Sequence, residues 1–318
     1  MTLRKSQAPE LKIQLLREGI VESIHYAHAV VSDDQGRILF AAGNPNYNTF
    51  IRSALKPFQA MCVTTTGTLE KFNLTDRDLA IMCASHRGTP AQARQAFNIL
   101  WRADIEPTAL QCPIPANARS NLQHNCSGKH AGMLAACRQL SLPTATYLSR
   151  KHPLQQLILG KVAELLRVPA VEFIGARDDC GAPTYLMQLS HMAYLYAHLA
   201  AGQRVELERT MRAMTHHAPL IADVGQFDTE LMRLTAGELV SKTGAEGVQC
   251  VGRVGESMGL AIKVADGTKR AKFAATIHAL KQMGWISSDI ADTLAEQFIQ
   301  LSEFTRLDVH GEMVMCRS

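Results

Sequence analysis

Two hydroxyl and amine pairings and one thiol-rich block hold most of the chemical potential of this sequence. Ser53-Ala54-Leu55-Lys56 places a hydroxyl and an amine three residues apart, on one face if the segment is helical. Serine is a poor nucleophile until a base takes its proton. A neutral lysine within hydrogen-bond reach can do so, which is the Ser-Lys form of acyl-transfer catalysis. A helix start there would also offer exposed amides to a developing oxyanion, the backbone N–H of Ser53 among them. The spacing alone is weak, because a capping serine one turn before a surface lysine reads the same way. Ser241-Lys242-Thr243-Gly244 adds weight, since S-x-x-K followed downstream by K-T-G is the order of penicillin-recognising enzymes. A lysine ordinarily titrates at about 10.4, and burial beside a second ammonium brings it toward the range of a working base. The S-D-N element of class A β-lactamases is absent, so an ordinary β-lactamase is not indicated.

A second concentration of reactive groups is Asn125-Cys126-Ser127-Gly128-Lys129-His130, at an expected loop-to-helix junction. Farther on, Asp178-Asp179-Cys180-Gly181 sets two carboxylates beside another thiol on a turn. Cys126 and Cys180, with Lys129 or His130, could form three corners of a tetrahedral metal site and leave the fourth to water. No C-x-x-C pair is present, and two buried thiols are the plain alternative. Gly255-Glu256-Ser257-Met258-Gly259 matches the nucleophile elbow of α/β-hydrolases. Its flanks, however, read as two strands joined by a turn rather than as strand, elbow and helix.

The elements that must position these groups follow from pattern. Tyr26 to Ser32 and Arg37 to Ala42 are apolar runs around Asp33-Asp34-Gln35-Gly36, a hairpin composition. Helical patterns cover Ser53 to Thr66, Pro90 to Arg102, Gly128 to Leu140, Pro153 to Arg167, Thr184 to Ala201 and Val205 to Thr215. Strands return at Glu238 to Lys242, Val248 to Val254 and Gly259 to Val264, before helices near Lys269 to Met283 and Ser288 to Gln300. The expected fold is therefore α/β of the α+β kind, with an antiparallel sheet built from both chain ends and a helix-rich middle. An N-terminal arm is expected over 1–18, and one unit over 19–318. Its sheet part spans about 19–52 and 236–318, and its helix-rich part about 53–235.

Composition narrows the function classes. Of 318 residues 33 are basic and 29 acidic, a net charge of +4 that is too small to imply a nucleic-acid partner. A hydrophobic content of 47% supports a sizeable core and rules out disorder. Eight cysteines without paired spacing read mostly as reduced, buried thiols. The charged N-terminus lacks the apolar stretch of a signal peptide, and Thr184 to Gln203 reads as an amphipathic helix rather than a membrane span. A cytoplasmic protein without membrane or nucleic-acid partners is expected.

The motifs in order also carry a resemblance. Gly19-Ile20-Val21-Glu22-Ser23, Gly43-Asn44-Pro45, Arg52 to Pro57, Met82-Cys83-Ala84-Ser85-His86, Asn125 to Leu134, Asp178-Asp179-Cys180 and Lys242 to Ala245 resemble the Rhizobium etli-type asparaginases. This group is also called the asparaginase II, or class 3, family. The resemblance implies a fold like that of serine glutaminases, penicillin-binding proteins and β-lactamases, a homodimer, and hydrolysis of L-asparagine to L-aspartate and ammonia. It places two Ser-Lys pairs on Ser53 with Lys56 and on Ser85 with Lys242. It also implies a metal site, usually zinc, on Cys126, Lys129 and Cys180 with Asp178 close by. An amine ligand must be deprotonated, so zinc affinity would fall steeply in acid.

The expected mechanism is double displacement. Ser53 attacks the side-chain amide, Lys56 takes its proton, and Ser85 with Lys242 relays a proton to the departing ammonia, although the serines could exchange roles. Arg52 and Asp178 suit the carboxylate and ammonium of a zwitterionic substrate, with His86 and His130 as further substrate-side candidates. The competing readings are a penicillin-recognising acyl enzyme, a serine esterase built on Ser257, and a non-enzymatic zinc-binding or sensing protein.

Overall fold

The computed structural model describes residues 8–316. Eight strands form one antiparallel sheet, whose main path runs Thr305–His310, Leu11–Arg17, Ile20–Asp33, Met258–Val264, Val248–Arg253, Leu239–Thr243. Ile38–Ala42 joins the far half of Ile20–Asp33, and Val314–Met315 pairs with it. The sheet is thus drawn from both chain ends, as the apolar runs imply. Successive side chains on a strand point to opposite faces. Accordingly Val30, Val240, Cys250 and Ala261 enter one core, while Val31, Leu239, Val251, Leu260 and Ile262 enter the other.

Each face is covered by helices. The Leu189–Ala201 helix lies across the first face so closely that a Cβ on Gly259 would sit 2.0 Å from the carbonyl oxygen of Ala193. Only glycine permits that approach. The second face carries Lys269–Gln282 and Ser288–Phe298. There Phe227, Phe273 and Phe298 pack ring to ring at centroid separations of 4.5, 5.2 and 5.4 Å. The helical middle includes Asp76–Cys83, Pro90–Arg102, Ser127–Gln139, Pro153–Leu166 and Val205–His216. Thr89 and Gln92 close a capping box ahead of Pro90, the pattern that announces this helix in the sequence.

Three expectations are corrected. The segment before residue 18 is not an arm in its described part, because Leu11–Arg17 is a sheet strand between two others. Leu11, Ile13 and Leu15 alternate into the core with Lys12 and Gln14 between them, a period-two pattern too short to stand out. The expected arm's residues 1–7 lie outside the described residues. The stretch from Thr184 begins as the strand Pro183–Gln188, and the helix starts only at Leu189. That strand pairs with Asn48–Phe50 and Ile174–Arg177 in a small three-stranded sheet within the helical middle. Ser53 to Thr66 is not one helix. It is a 3₁₀ turn at Arg52–Leu55 followed by two single helical turns, Lys56–Gln59 and Met61–Thr64.

The segment Gly255-Glu256-Ser257 joins two adjacent antiparallel strands as a hairpin turn, so the elbow geometry is absent there. Among the described residues no helix is long and apolar enough to cross a membrane. Seven cysteines, at positions 62, 83, 112, 126, 137, 180 and 250, are buried free thiols.

Candidate active site

The site forms where the Arg52–Leu55 turn, the end of the Asp76–Cys83 helix, the start of the Ser127–Gln139 helix and the Leu239–Thr243 strand meet. The turn is clamped from two sides. Ile51 N–H donates to the Tyr185 carbonyl at 3.1 Å, and Arg52 N–H donates to Thr184 Oγ1 at 3.1 Å. Tyr196, on the helix that crosses the sheet, donates its hydroxyl to the Ala54 carbonyl at 2.8 Å. Lys56 follows this turn and is wholly buried. Its Nζ donates to the carbonyls of Ala84 at 2.5 Å and Asn125 at 3.3 Å, and lies 3.0 Å from Ser85 Oγ.

Ser85 stands just past the C-terminus of Asp76–Cys83, its N–H held by the Ile221 carbonyl at 2.8 Å. Lys242 reaches the same hydroxyl from the sheet. Its Nζ lies 2.8 Å from Ser85 Oγ, 3.0 Å from the Thr243 carbonyl and 3.7 Å from Asp228 Oδ2. One hydroxyl therefore joins two fully buried amines whose residues are far apart in sequence. Burial lowers the pKa of Lys242 to about 8, with the Lys56 ammonium helping and Asp228 opposing. Near neutrality such an amine exchanges protons readily, and Ser85 offers both a proton and lone pairs between the two nitrogens.

Ser53 differs from the expectation in one respect. Among the described residues no hydrogen bond joins its hydroxyl to Lys56, because in the tighter 3₁₀ geometry Lys56 turns its donors to residues 84, 85 and 125. Ser53 remains half-buried on the same turn.

Cys126, Lys129 and Cys180 come together as expected, all nearly inaccessible. Lys129 Nζ donates to Cys180 Sγ at 3.0 Å. The Cys180 thiol donates to Cys126 and, with Lys56 and Lys129, holds the Cys126 thiol well below its ordinary pKa despite burial. Burial pulls on Lys129 as well, but the two sulfurs outweigh it and hold the ammonium well above its usual pKa. Two thiols and an amine form a soft donor set of the kind that suits zinc, provided the metal displaces the ammonium proton. Among the described residues no group of three or more His, Cys, Asp or Glu side chains is arranged for a metal. Gly128 allows the helix carrying Lys129 to approach, since a Cβ there would lie 2.1 Å from the Ile81 carbonyl oxygen.

The remaining candidates divide. Arg52 and Asp178 are paired with each other, Nε to Oδ1 at 2.7 Å, and Arg52 also meets Asp179 Oδ2 at 2.6 Å. His86 accepts from Gly88 N–H at Nδ1, so its Nε2–H donates to Ser127 Oγ at 2.9 Å. Both ring nitrogens hold the loop, and burial with the nearby Lys56 lowers its pKa to about 3. His130 receives the Tyr147 hydroxyl proton at Nδ1, since Tyr147 itself accepts from Gln111 N–H. Its Nε2 is buried without a hydrogen-bond partner among the described residues. Burial keeps this imidazole neutral.

Sequence reasoning missed Asp228, Lys272 and His124. His124 Nδ1 accepts from the Cys126 N–H at 3.1 Å and so orders the start of the thiol-bearing helix. Asp228 and Lys272 lie behind Lys242 on the Phe227–Leu234 and Lys269–Gln282 helices. For Lys272 the available signal was a charge among the apolar Ala271, Phe273, Ala274 and Ala275 of its helix, whereas Asp228 and His124 carried none.

A buried amine–hydroxyl–amine triplet, assembled from residues distant in sequence, can pass protons to and from a serine hydroxyl. The chain belongs to the L-asparaginase II family, whose model matches residues 13–315. A search of curated proteins gave no match. Among solved structures, the chain is similar to Mglu in its native form in 4.3 M NaCl, with 16% identity, TM-score 0.40, and 82% of this chain and 61% of that one covered. It thus spans about three fifths of the length of that relative. A second Mglu structure gives 15% identity, TM-score 0.42, and 83% and 68% coverage. A class C beta-lactamase gives 12% identity, TM-score 0.37, and 93% and 92% coverage.

Proposed function

We propose that the protein hydrolyses L-asparagine to L-aspartate and ammonia by covalent Ser-Lys catalysis. The observation that carries this reading is Ser85 Oγ, 3.0 Å from Lys56 Nζ and 2.8 Å from Lys242 Nζ. In the mechanism, the Ser53 hydroxyl attacks the amide carbon and forms an ester as the C–N bond breaks. The proton released enters the Lys56–Ser85–Lys242 chain and leaves on the nitrogen, giving ammonia, and water then cleaves the ester with the same groups acting in reverse. Ser53 suits the attack because its hydroxyl has no hydrogen-bond partner among the described residues and lies at the start of a helical turn.

A second reading exchanges the serines, and it is favoured by the direct contact of both amines with Ser85. Trapping the acyl intermediate with a slow substrate and mapping it by mass spectrometry distinguishes the two by which serine carries the ester. For recognition, Arg52 takes the substrate carboxylate and Asp178 its ammonium, each giving up part of the ion pair that joins them. The buried Nε2–H of His130 is a further donor on this side.

Zinc belongs to the proposal. Cys126, Lys129 and Cys180 would hold it, and it would order the Asp178 turn and the substrate's polar head rather than the reacting carbonyl. A homodimer is proposed on the family resemblance, and a cytoplasmic setting on the buried free thiols. Ammonia release from L-asparagine, L-glutamine and β-aspartyl peptides tests the substrate. No release from any amide, together with zinc binding, would favour a metal-binding protein, and stable labelling by a β-lactam would favour a penicillin-recognising one.

A further inference from the structure

We infer that Asp228, which lies in none of the motifs, is the positioning residue that fixes Lys242 against Ser85 and supplies the negative charge balancing the two-lysine site. Asp228 occupies the first turn of the Phe227–Leu234 helix and is 1% exposed. Its Oδ2 accepts from Thr243 N–H at 2.8 Å, and its Oδ1 accepts from Ser241 Oγ and Gln249 Nε2, each at 2.8 Å. Three donors and no acceptor partner are the pattern of a carboxylate. Ser241 and Thr243 flank Lys242 on its strand, so one side chain grips the strand on both sides of the lysine. Lys242 Nζ stands 3.7 Å from Oδ2, near enough for charge but beyond a short hydrogen bond. The amine's short contacts are thereby left to Ser85 at 2.8 Å and the Thr243 carbonyl at 3.0 Å.

The groups facing Lys242 are Asp228 from its helix, Lys56 across the site, the thiols of Cys83 and Cys126, and Cys250 opposite it on the neighbouring strand. Lys272 lies close enough to feel both Asp228 and Lys242. It donates to the Gly244 carbonyl at 2.8 Å and so pins the Lys-Thr-Gly turn from behind. Asp228 is the one carboxylate in this set among the described residues. It raises the proton affinity of Lys242 while burial and Lys56 lower it, and the balance leaves the amine titrating at about 8.

The inference deepens the proposed amide hydrolysis and rests on it, so the test reads both. Asp228→Asn is measured by the pH profile of kcat/KM for ammonia release, and by NMR titration of the lysine ε-carbons in labelled protein. The acidic limb and the Lys242 titration are expected to move together to lower pH by about one unit or more, with a lower plateau. Asp78→Asn serves as the control. That buried carboxylate is held by Thr75, Gln95 and Arg102, and its loss destabilises the fold without moving the limb. If Asp228→Asn does not fold, Gln249→Ala is used. It strips a donor from the carboxylate, concentrates its charge and moves both readouts upward. A limb and a lysine titration that stay in place in the folded variants overturn the inference. A lysine titration that follows Asp228 in a protein without amide hydrolysis supports it and overturns the functional reading alone.

Discussion

Two buried lysines lie in neighbouring parts of this molecule and are treated in opposite ways. Lys242 is surrounded by a hydroxyl, a backbone carbonyl and a second lysine, and its proton is loosely held, with a pKa of about 8. Lys129 lies among the sulfurs of Cys126 and Cys180, which grip its proton more tightly than water would. Both are nearly or wholly inaccessible, and burial lowers the proton affinity of each. At Lys242 burial, helped by Lys56, prevails over the opposing Asp228 carboxylate, whereas at Lys129 the two sulfurs outweigh it. The first amine is ready to move protons, and the second is ready to hold its proton or to exchange it for a metal cation.

The largest expected effect breaks the first region only. Ser85→Ala removes the hydroxyl shared by both amines and is expected to lower kcat by about a thousandfold. Lys242→Met is expected to do the same, while Lys129→Met leaves turnover within about tenfold. A loss below tenfold for Ser85→Ala in a steady-state ammonia assay would remove the triplet from the chemistry. The pH dependence comes next. The amine of Lys242 accepts a proton only when neutral, so kcat/KM should fall about tenfold per pH unit below about 8 and level off above it. A flat profile between pH 6 and 8, within about twofold, would show that Lys242 does not gate the reaction.

Removal of metal tests the second region. If zinc on Cys126, Lys129 and Cys180 orders substrate, chelation should raise KM several-fold and leave kcat within about twofold. Equal and total loss of turnover would contradict that assignment.

The two regions were also unequally legible in the sequence. Lys56, Lys242 and the Asn125–Lys129 block announce themselves because their reactive groups sit in short local patterns. Ser85 did not do so without the resemblance, since a serine after a helix end has no local signature and its partners arrive from residues 56 and 242. Asp228 was invisible for the same reason. Its three donors come from a strand and a helix start that sequence spacing does not connect. Of the fold, the two-sided sheet was readable from apolar runs at both chain ends. Pro183–Gln188 was not, because a short apolar run ahead of a helix fits strand and helix alike until its pairing partners at 48–50 and 174–177 are known.

The smallest expected effect is on stability, and it sharpens the contrast most because the two lysines should give opposite signs. A group whose folded pKa lies below its unfolded value costs stability when protonated. At neutral pH Lys242 is such a group, and its cost is fully present below about 8. Lys129 has a folded pKa above its unfolded one, so the stability it contributes is fully present below the unfolded value of about 10.4 and is lost as pH rises through the folded one. In chelator-treated protein at neutral pH, Lys129→Met should therefore lower stability by about 1 to 3 kcal/mol, leaving the Cys126 and Cys180 sulfurs without their donor. Lys242→Met should leave stability unchanged or raise it by about 1 kcal/mol, since Asp228 keeps all three of its hydrogen-bond donors. Urea denaturation of the two variants measures both. A loss of similar size in each would show that the sheet lysine is held as a structural cation and not kept at a cost for proton transfer.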